Sequence, residues 1–450
     1  MTTPPSIVPL RSWLDPERVF CGWAECHENA FWLDAGPEAA SGRSWVGVGE
    51  PVSPDEIDQV TLNGGSGDSA EPSRERGPRP GGWVGWFGYE GGARRAGAPS
   101  FPSADGGARW MRVLAVVEFD HATSRVTVFS AAGLPGAAAA LLDATALAAE
   151  LRELPQLGGI ADPTPVQASA RHDASTYAAL IDECREQIRQ GNAYQLCLTT
   201  RFTVSGAVDA VAAYRRLRRG LSAHHGGFVR ISGRTLLSAS PEQFLEVERG
   251  RVRTHPIKGT RPRSADAGTD ADLAADLRSD IKERAENVMI VDLMRNDLSR
   301  ICQTGTVTVE RLFEVESYPA VHQLVSTVAG DLIPGLRVSD LLAATFPAGS
   351  MTGAPKLSAM SLLHRLEGAP RGVFAGCFGW ISPEGDLDLA MVIRSIVIER
   401  DHAYVGAGGG ITWLSHPPAE VAEVVVKARG PLAALGASVP QGWVDAGPTA

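Results

Sequence analysis

Apolar and polar positions alternate with a period of two along several stretches of this chain and switch to a helical period in others, a pattern that predicts an α+β protein. Residues 113–117 and 125–129 read as strands around a turn near 121–123, and 194–202, 228–231 and 252–255 read as further strands. Residues 137–151 read as an alanine-rich helix. Apolar spacing predicts helices over 177–189, 208–221, 281–293, 338–345, 355–366 and 419–435. Ser175 and Thr176 are capping candidates for the first of these, and Pro355 suits the opening position of the helix at 355. Gly, Ser, Pro and charge make 62–82 an exposed loop, followed by the tightly packed glycine and aromatic run 81–89. A Pro/Gly-rich break at 155–165 divides the chain into an N-terminal region 1–155, a linker 156–170, a main region 171–436 and a C-terminal tail 437–450.

With 450 residues, 44% hydrophobic and 21% charged, the chain has ample core for a globular protein. The net charge of −10 argues against a general nucleic-acid binder and favours small anions held in a local basic pocket. Cys21, Cys26, Cys184, Cys197, Cys302 and Cys377 are scattered without a Cys-x-x-Cys pair, so no zinc site or disulfide framework is expected. No signal core precedes Leu10 and no stretch reaches membrane-span length, which makes a cytoplasmic protein the expectation.

Five segments carry candidate chemistry. In Pro256-Ile257-Lys258-Gly259-Thr260-Arg261-Pro262-Arg263, read as a constrained loop, Gly259 permits close approach to a ligand and Thr260 offers a hydroxyl. Lys258 offers an amine that is nucleophilic where its surroundings depress its pKa, although an isolated lysine is more often a surface group. Glu283 and Glu286 share one helical face on which two hard oxygen donors can hold Mg²⁺, and Glu420 and Glu423 repeat the spacing. Each pair also fits a solvated acidic face, and Glu423 with Lys427 fits an ordinary helical ion pair. Gly406-Ala407-Gly408-Gly409-Gly410-Ile411 can turn backbone N–H groups toward a carboxylate or phosphate, yet it is neither a Walker loop nor a dinucleotide fingerprint. Arg394 can clamp the same anion or be a plain surface arginine. Finally, residues 346–356 form a glycine and hydroxyl loop ahead of a helix, fit to close over a ligand or to serve as a turn.

In this order along the chain, these segments resemble the chorismate-utilising enzymes: anthranilate synthase component I, aminodeoxychorismate synthase component I, and the isochorismate and salicylate synthases. The resemblance is continuous over 170–435 and fainter in the N-terminal third. It implies an α+β fold, an anthranilate synthase component I-like large β-sandwich with helices packed on the outside, whose halves enclose one site. It implies that Glu283, Glu286, Glu420 and Glu423 hold Mg²⁺, which neutralises chorismate's ring carboxylate. Arg394 and the amides of Gly409 and Gly410 would hold carboxylates, Thr260 and Ser350 would touch substrate oxygens, and Lys427 would add positive charge. Glu242, in Ser240-Pro241-Glu242, matches the family's acid and would protonate a leaving hydroxyl, which requires a raised pKa; seen alone, it reads as a turn carboxylate.

Three positions separate reactions within the family. Members that add water carry a lysine where this chain has Gln195, a substrate-contact candidate that cannot act as a base, so ammonia is the favoured nucleophile. Anthranilate synthases resemble Pro-Ile-Ala-Gly-Thr around Lys258 and aminodeoxychorismate synthases Pro-Ile-Lys-Gly-Thr. The second pattern implies that Lys258 adds to ring C2 as the C4 hydroxyl departs and that ammonia then enters at C4, a transaminase-type amino transfer. Gln323 stands where anthranilate synthases carry a histidine; His322, one residue earlier, faces the other way if the segment is extended. Phe374 replaces a tyrosine. No Gly-x-Cys-x-Gly elbow is present, so ammonia is expected from a separate glutamine amidotransferase subunit, in folate or antibiotic 4-aminobenzoate supply. The alternatives are an anthranilate synthase component I, a 2-amino-2-deoxyisochorismate synthase, or a non-catalytic chorismate or tryptophan sensor. Phe31-Trp32-Leu33-Asp34 lies where relatives build a tryptophan pocket, but the Leu-Leu-Glu-Ser pattern is missing.

Overall fold

The strand Ala30–Asp34 shows how the period-two pattern builds the layers. Ala30 and Trp32 point into one core, shared with helices Ala174–Arg189, Ala210–Gly220 and Pro417–Ala434. Their neighbours Phe31 and Leu33 point into a second core, in which Val84, Trp86, Phe378 and Trp380 arrive from other strands. A third core lies under helix Ile281–Ser299, through Ile290, Met294 and Leu298. In the computed structural model, which describes residues 5–62, 76–102, 107–131, 143–221, 223–318 and 321–445, one sheet joins twenty strands. Its pairings are antiparallel, and the α+β class with a large sheet and outer helices is as expected.

Residues from both sides of the Pro/Gly break share that sheet. Ala30–Asp34 pairs with His225–Ile231, and Trp83–Phe87 pairs with Cys377–Ile381. The stretch 156–170, read as a linker, carries two short strands: Val166–Gln167 pairs with Ala437–Ser438, and Ser169–Ala170 with the strand Gln195–Ser205. The stretch read as a tail is likewise docked up to 445, because Trp443 buries its indole against Tyr177 and Phe202. Proline and glycine mark irregular backbone there but do not prevent edge pairing. Asp173, rather than Ser175 or Thr176, caps the helix Ala174–Arg189, accepting from Thr176 N at 2.7 Å. The expected helix at 137–151 is found as Ala144–Glu150, capped by Asp143; residues 137–142 lie outside the described residues, as does most of the loop 62–82. All six cysteines are free, and no described helix is long and apolar enough to cross a membrane.

Candidate active site

A cavity of about 460 Å³ is lined by twelve of the thirteen residues expected at the site. The thirteenth, Gln195, packs against Gly410 of its wall. Gln195 is 1% exposed, and a Cβ on Gly410 would come within 2.1 Å of its Nε2. Its Oε1 is buried without a hydrogen-bond partner. Its strand start pairs with Gly353–Ala354, and its amide stands on the side of Gly410 where a Cβ would also approach Lys258 Nζ, to 3.7 Å.

Lys258 lies on a strand, not in a loop. Ile257–Pro262 pairs with Val321–Asp331, and the register shifts between Lys258 and Thr260. Gly259 sits at that bulge with φ +78°, where an added Cβ would meet Leu277 Cδ1 at 2.7 Å and the Glu283 carboxyl carbon at 3.0 Å. A bulge re-aims the residues beside it, and both Lys258 and Thr260 reach the cavity. Gly259→Ala should therefore destabilise the protein by about 1–3 kcal/mol, read as a lower urea midpoint; an unchanged midpoint would contradict the strained bulge. Across the pair, Gln323 faces the cavity while His322 turns away to Asp270 and Ser317 at 3.0 and 2.8 Å, as strand alternation requires.

Glu242 follows the strand Arg234–Ser240 and is buried. Burial pushes its carboxyl above the usual range, against a hydrogen bond from Ser350 and the Lys258 and Lys427 charges. Ser350 Oγ donates to Glu242 Oε1 at 2.9 Å, so the hydroxyl expected on the substrate is already engaged by the acid.

The four glutamates come from two helices. Asp280 caps Ile281–Ser299 by accepting from Lys282 N and Glu283 N, which sets Glu283 and Glu286 in its first two turns. Glu420 and Glu423 occupy the opening turns of Pro417–Ala434. Burial and then Glu286 push the Glu283 pKa up; burial, with Glu423 adding to it, does the same to Glu420. Glu423 is held below its ordinary value: burial opposes its ionised form, but Lys427 at 2.6 Å prevails. The helical ion pair anticipated for Glu423 and Lys427 is therefore present, and Lys427 also donates to Gly408 O at 2.8 Å. Lys258 and Lys282 stand 4.0 and 3.9 Å from Glu286. Among the described residues no three acidic, His or Cys groups converge closely enough to hold an ion. Mg²⁺ takes one or two carboxylates and completes its shell with waters and ligand oxygens, so this spread set of hard donors fits it.

The glycine run Gly406–Gly410 is the interior of strand His402–Ile411, paired residue by residue with Gln195–Ser205. Its other neighbour, Ser395–Ile398, pairs only as far as Val405. The glycines clear space: a Cβ on Gly406 would lie 2.1 Å from the Phe374 ring, and one on Gly409 would lie 3.0 Å from Glu420 Oε2. Arg394 stands nearby at φ +51°, a left-handed conformation that strains a non-glycine residue. Its guanidinium has no hydrogen-bond or ion-pair partner among the described residues, and burial lowers its pKa against the pull of Glu423. It is an unspent, half-buried cation.

Sequence reasoning missed Cys197, Thr199 and Lys282, which also line the cavity. Lys282 carried a signal, since a cation in the first turn of a helix opposes the helix dipole. The other two sit in an apolar strand and carried none. The cavity as a whole joins an amine, a carboxyl whose pKa burial raises, divalent-cation donors and an arginine beside bare backbone, a set suited to a small carboxylate with a hydroxyl to lose.

The family model described as chorismate binding enzyme matches residues 52–433. An aminodeoxychorismate synthase from Streptomyces pristinaespiralis is 36% identical over 95% of this chain, and the chain spans 62% of that protein. Anthranilate synthase component 1 of Streptomyces coelicolor is 35% identical over 95% of this chain and 89% of its own length. The crystal structure of anthranilate synthase component I from Streptococcus pneumoniae matches with a TM-score of 0.67 at 28% identity, over 95% of this chain and 92% of that one. A family match of this extent, on a chain whose cavity gathers the family's expected residues, means that the chain belongs to the chorismate binding enzyme family.

Proposed function

We propose that the chain makes 4-amino-4-deoxychorismate from chorismate and ammonia through a covalent bond to Lys258. The observation that carries this reading is an amine, Lys258, facing the same cavity as a buried acid, Glu242. Arg394 and the backbone of Gly409 and Gly410 would receive the substrate's carboxylates, and Thr260 would read an oxygen. Glu283, Glu286, Glu420 and Glu423 would hold Mg²⁺, which when bound neutralises a substrate carboxylate.

In the first step, the Lys258 Nζ lone pair bonds to ring C2, the ring diene shifts and the C4–O bond breaks. Glu242 gives its proton to the departing hydroxyl, which leaves as water. Ammonia then bonds to C4, the diene returns and the C2–N bond breaks, freeing Lys258. The proton shed by the new ammonium centre returns to Glu242. The net change exchanges a hydroxyl for an amine without oxidation. Ammonia would come from a separate glutamine amidotransferase, in keeping with the missing elbow motif and with a relative named as a component 1.

A second reading puts nitrogen at C2 and is favoured by the Streptomyces coelicolor relative, named anthranilate synthase component 1. Against it stand Lys258 itself and Gln323, which occupies the cavity position of the histidine that serves pyruvate elimination in that branch. NMR of the product made from chorismate, Mg²⁺ and ammonium decides. Nitrogen on C4 is expected; nitrogen on C2, or anthranilate with pyruvate, overturns the proposal.

A further inference from the structure

Behind the cavity lies a buried group of charges that none of these roles uses. Arg371, 2% exposed, donates to Glu367 Oε1 and Oε2 at 2.6 and 2.8 Å, to Met351 O at 2.7 Å and to Cys197 O at 2.8 Å. Its guanidinium lies 4.3 Å from the centroid of the Tyr89 ring. Glu367 Oε1 also accepts from Thr199 N and Thr199 Oγ1, both at 2.9 Å. Glu90, buried as well, accepts the backbone N–H groups of Arg371 and Gly372 at 2.6 and 2.9 Å.

One guanidinium thus fastens three segments that are distant in sequence. These are the strand Gln195–Ser205, the single turn Gly349–Thr352, and the stretch from Glu367 that leads to Phe374. All three reach the cavity, through Cys197 and Thr199, through Ser350 and Met351, and through Phe374. The middle one carries the hydroxyl that bonds Glu242. Stability alone is a poor account of the arrangement, because an apolar pair of similar volume usually serves a core as well as a buried ion pair.

We propose that Arg371, held by Glu367 and Glu90, is a positioning residue: it fixes the turn of Ser350 and thereby the Glu242 carboxyl that faces Lys258. The inference rests on Glu242 acting as the acid. Two variants test it. Arg371→Lys keeps a charge beside Glu367 but loses the fork that reaches both carbonyls. The double variant Glu367→Leu with Arg371→Met removes both buried charges together and guards against a simple failure to fold.

The expected result is a folded protein with kcat lowered on the order of a hundredfold, as for a displaced catalytic group, and a KM for chorismate nearly unchanged. A second readout follows Glu242 directly. The Ser350 hydrogen bond favours its ionised form, so loosening Ser350 moves the carboxyl titration to higher pH; the other charges acting on Glu242, Lys258 and Lys427, are the same in every variant. A ¹³C-carboxyl NMR titration should show the same upward shift in Arg371→Lys and in Ser350→Ala, with no further shift when the two are combined. A folded Arg371→Lys with wild-type kcat and an unmoved titration overturns the inference. So does a double variant that recovers rate along with stability. Because the titration needs no turnover, a wild-type protein inactive with chorismate and ammonium would refute the functional reading and leave this test standing.

Discussion

Replacing Lys258 by alanine lowers formation of 4-amino-4-deoxychorismate on the order of 10⁴-fold, with ammonium as donor so that no partner subunit is involved. The effect is this large because the side chain would form and break a bond in each turnover, not merely stabilise charge. Charge does enter, since Lys258 stands 4.0 Å from Glu286 and its field reaches Glu242 and Glu423. Lys258→Arg separates the two roles: it keeps a cation beside Glu286 but cannot attack carbon at neutral pH. Both variants should be inactive, and only the alanine should also bind chorismate more weakly. An arginine variant with near-wild-type rate would reduce Lys258 to an electrostatic role. Without ammonia, intact-protein mass spectrometry of the wild type should show an adduct of chorismate less water, absent in both variants.

Glu242→Gln carries the second largest expected loss, about 10²–10⁴-fold in kcat, because the amide fills the space and can still meet Ser350 but has no proton to give. The same change should raise stability near neutral pH. Glu242 has its pKa raised by burial, so the folded state holds the proton at pH values where the unfolded state has released it. Stability contributed at this site is therefore lost as pH rises from the unfolded carboxyl value through the folded one. Glutamine removes that loss, so its thermal midpoint should exceed the wild type's at pH 8 and match it at pH 4. Activity follows the same titration: the acid must be protonated, and kcat should fall as pH rises through the raised pKa. A variant both slower and less stable at pH 8 would mean that Glu242 is ionised and paired in the folded protein.

Helical features of the site were legible because they depend on local spacing. Glu283 with Glu286, and Glu420 with Glu423, needed only a three-residue interval and an apolar face. The backbone of the sheet was harder. Lys258 reads as a loop residue because proline and glycine crowd it, yet those residues delimit and bulge a strand. Gly406–Gly410 reads as a nest because consecutive glycines are poor strand formers, but ten residue pairs with Gln195–Ser205 override that preference. Glu90 and Arg371 meet across 281 positions, and no local pattern announces such a contact. Gln195 shows the limit from the other side: its identity bears on the nucleophile, but its place against Gly410 emerges only from strand pairing.

The bare strand has a consequence for how such an enzyme diversifies. From Gly406 to Gly410 the cavity floor is almost wholly main chain, so mutation can add bulk there but has little chemistry to substitute. The side chains that the family resemblance ties to the choice of reaction border that floor, Lys258, Gln323 and Phe374 lining the cavity and Gln195 packing against Gly410, and they can change one at a time. Holding the ligand and choosing the nucleophile are thereby inherited separately. A directed-evolution library aimed at new products should spare 406–410 and randomise those four positions.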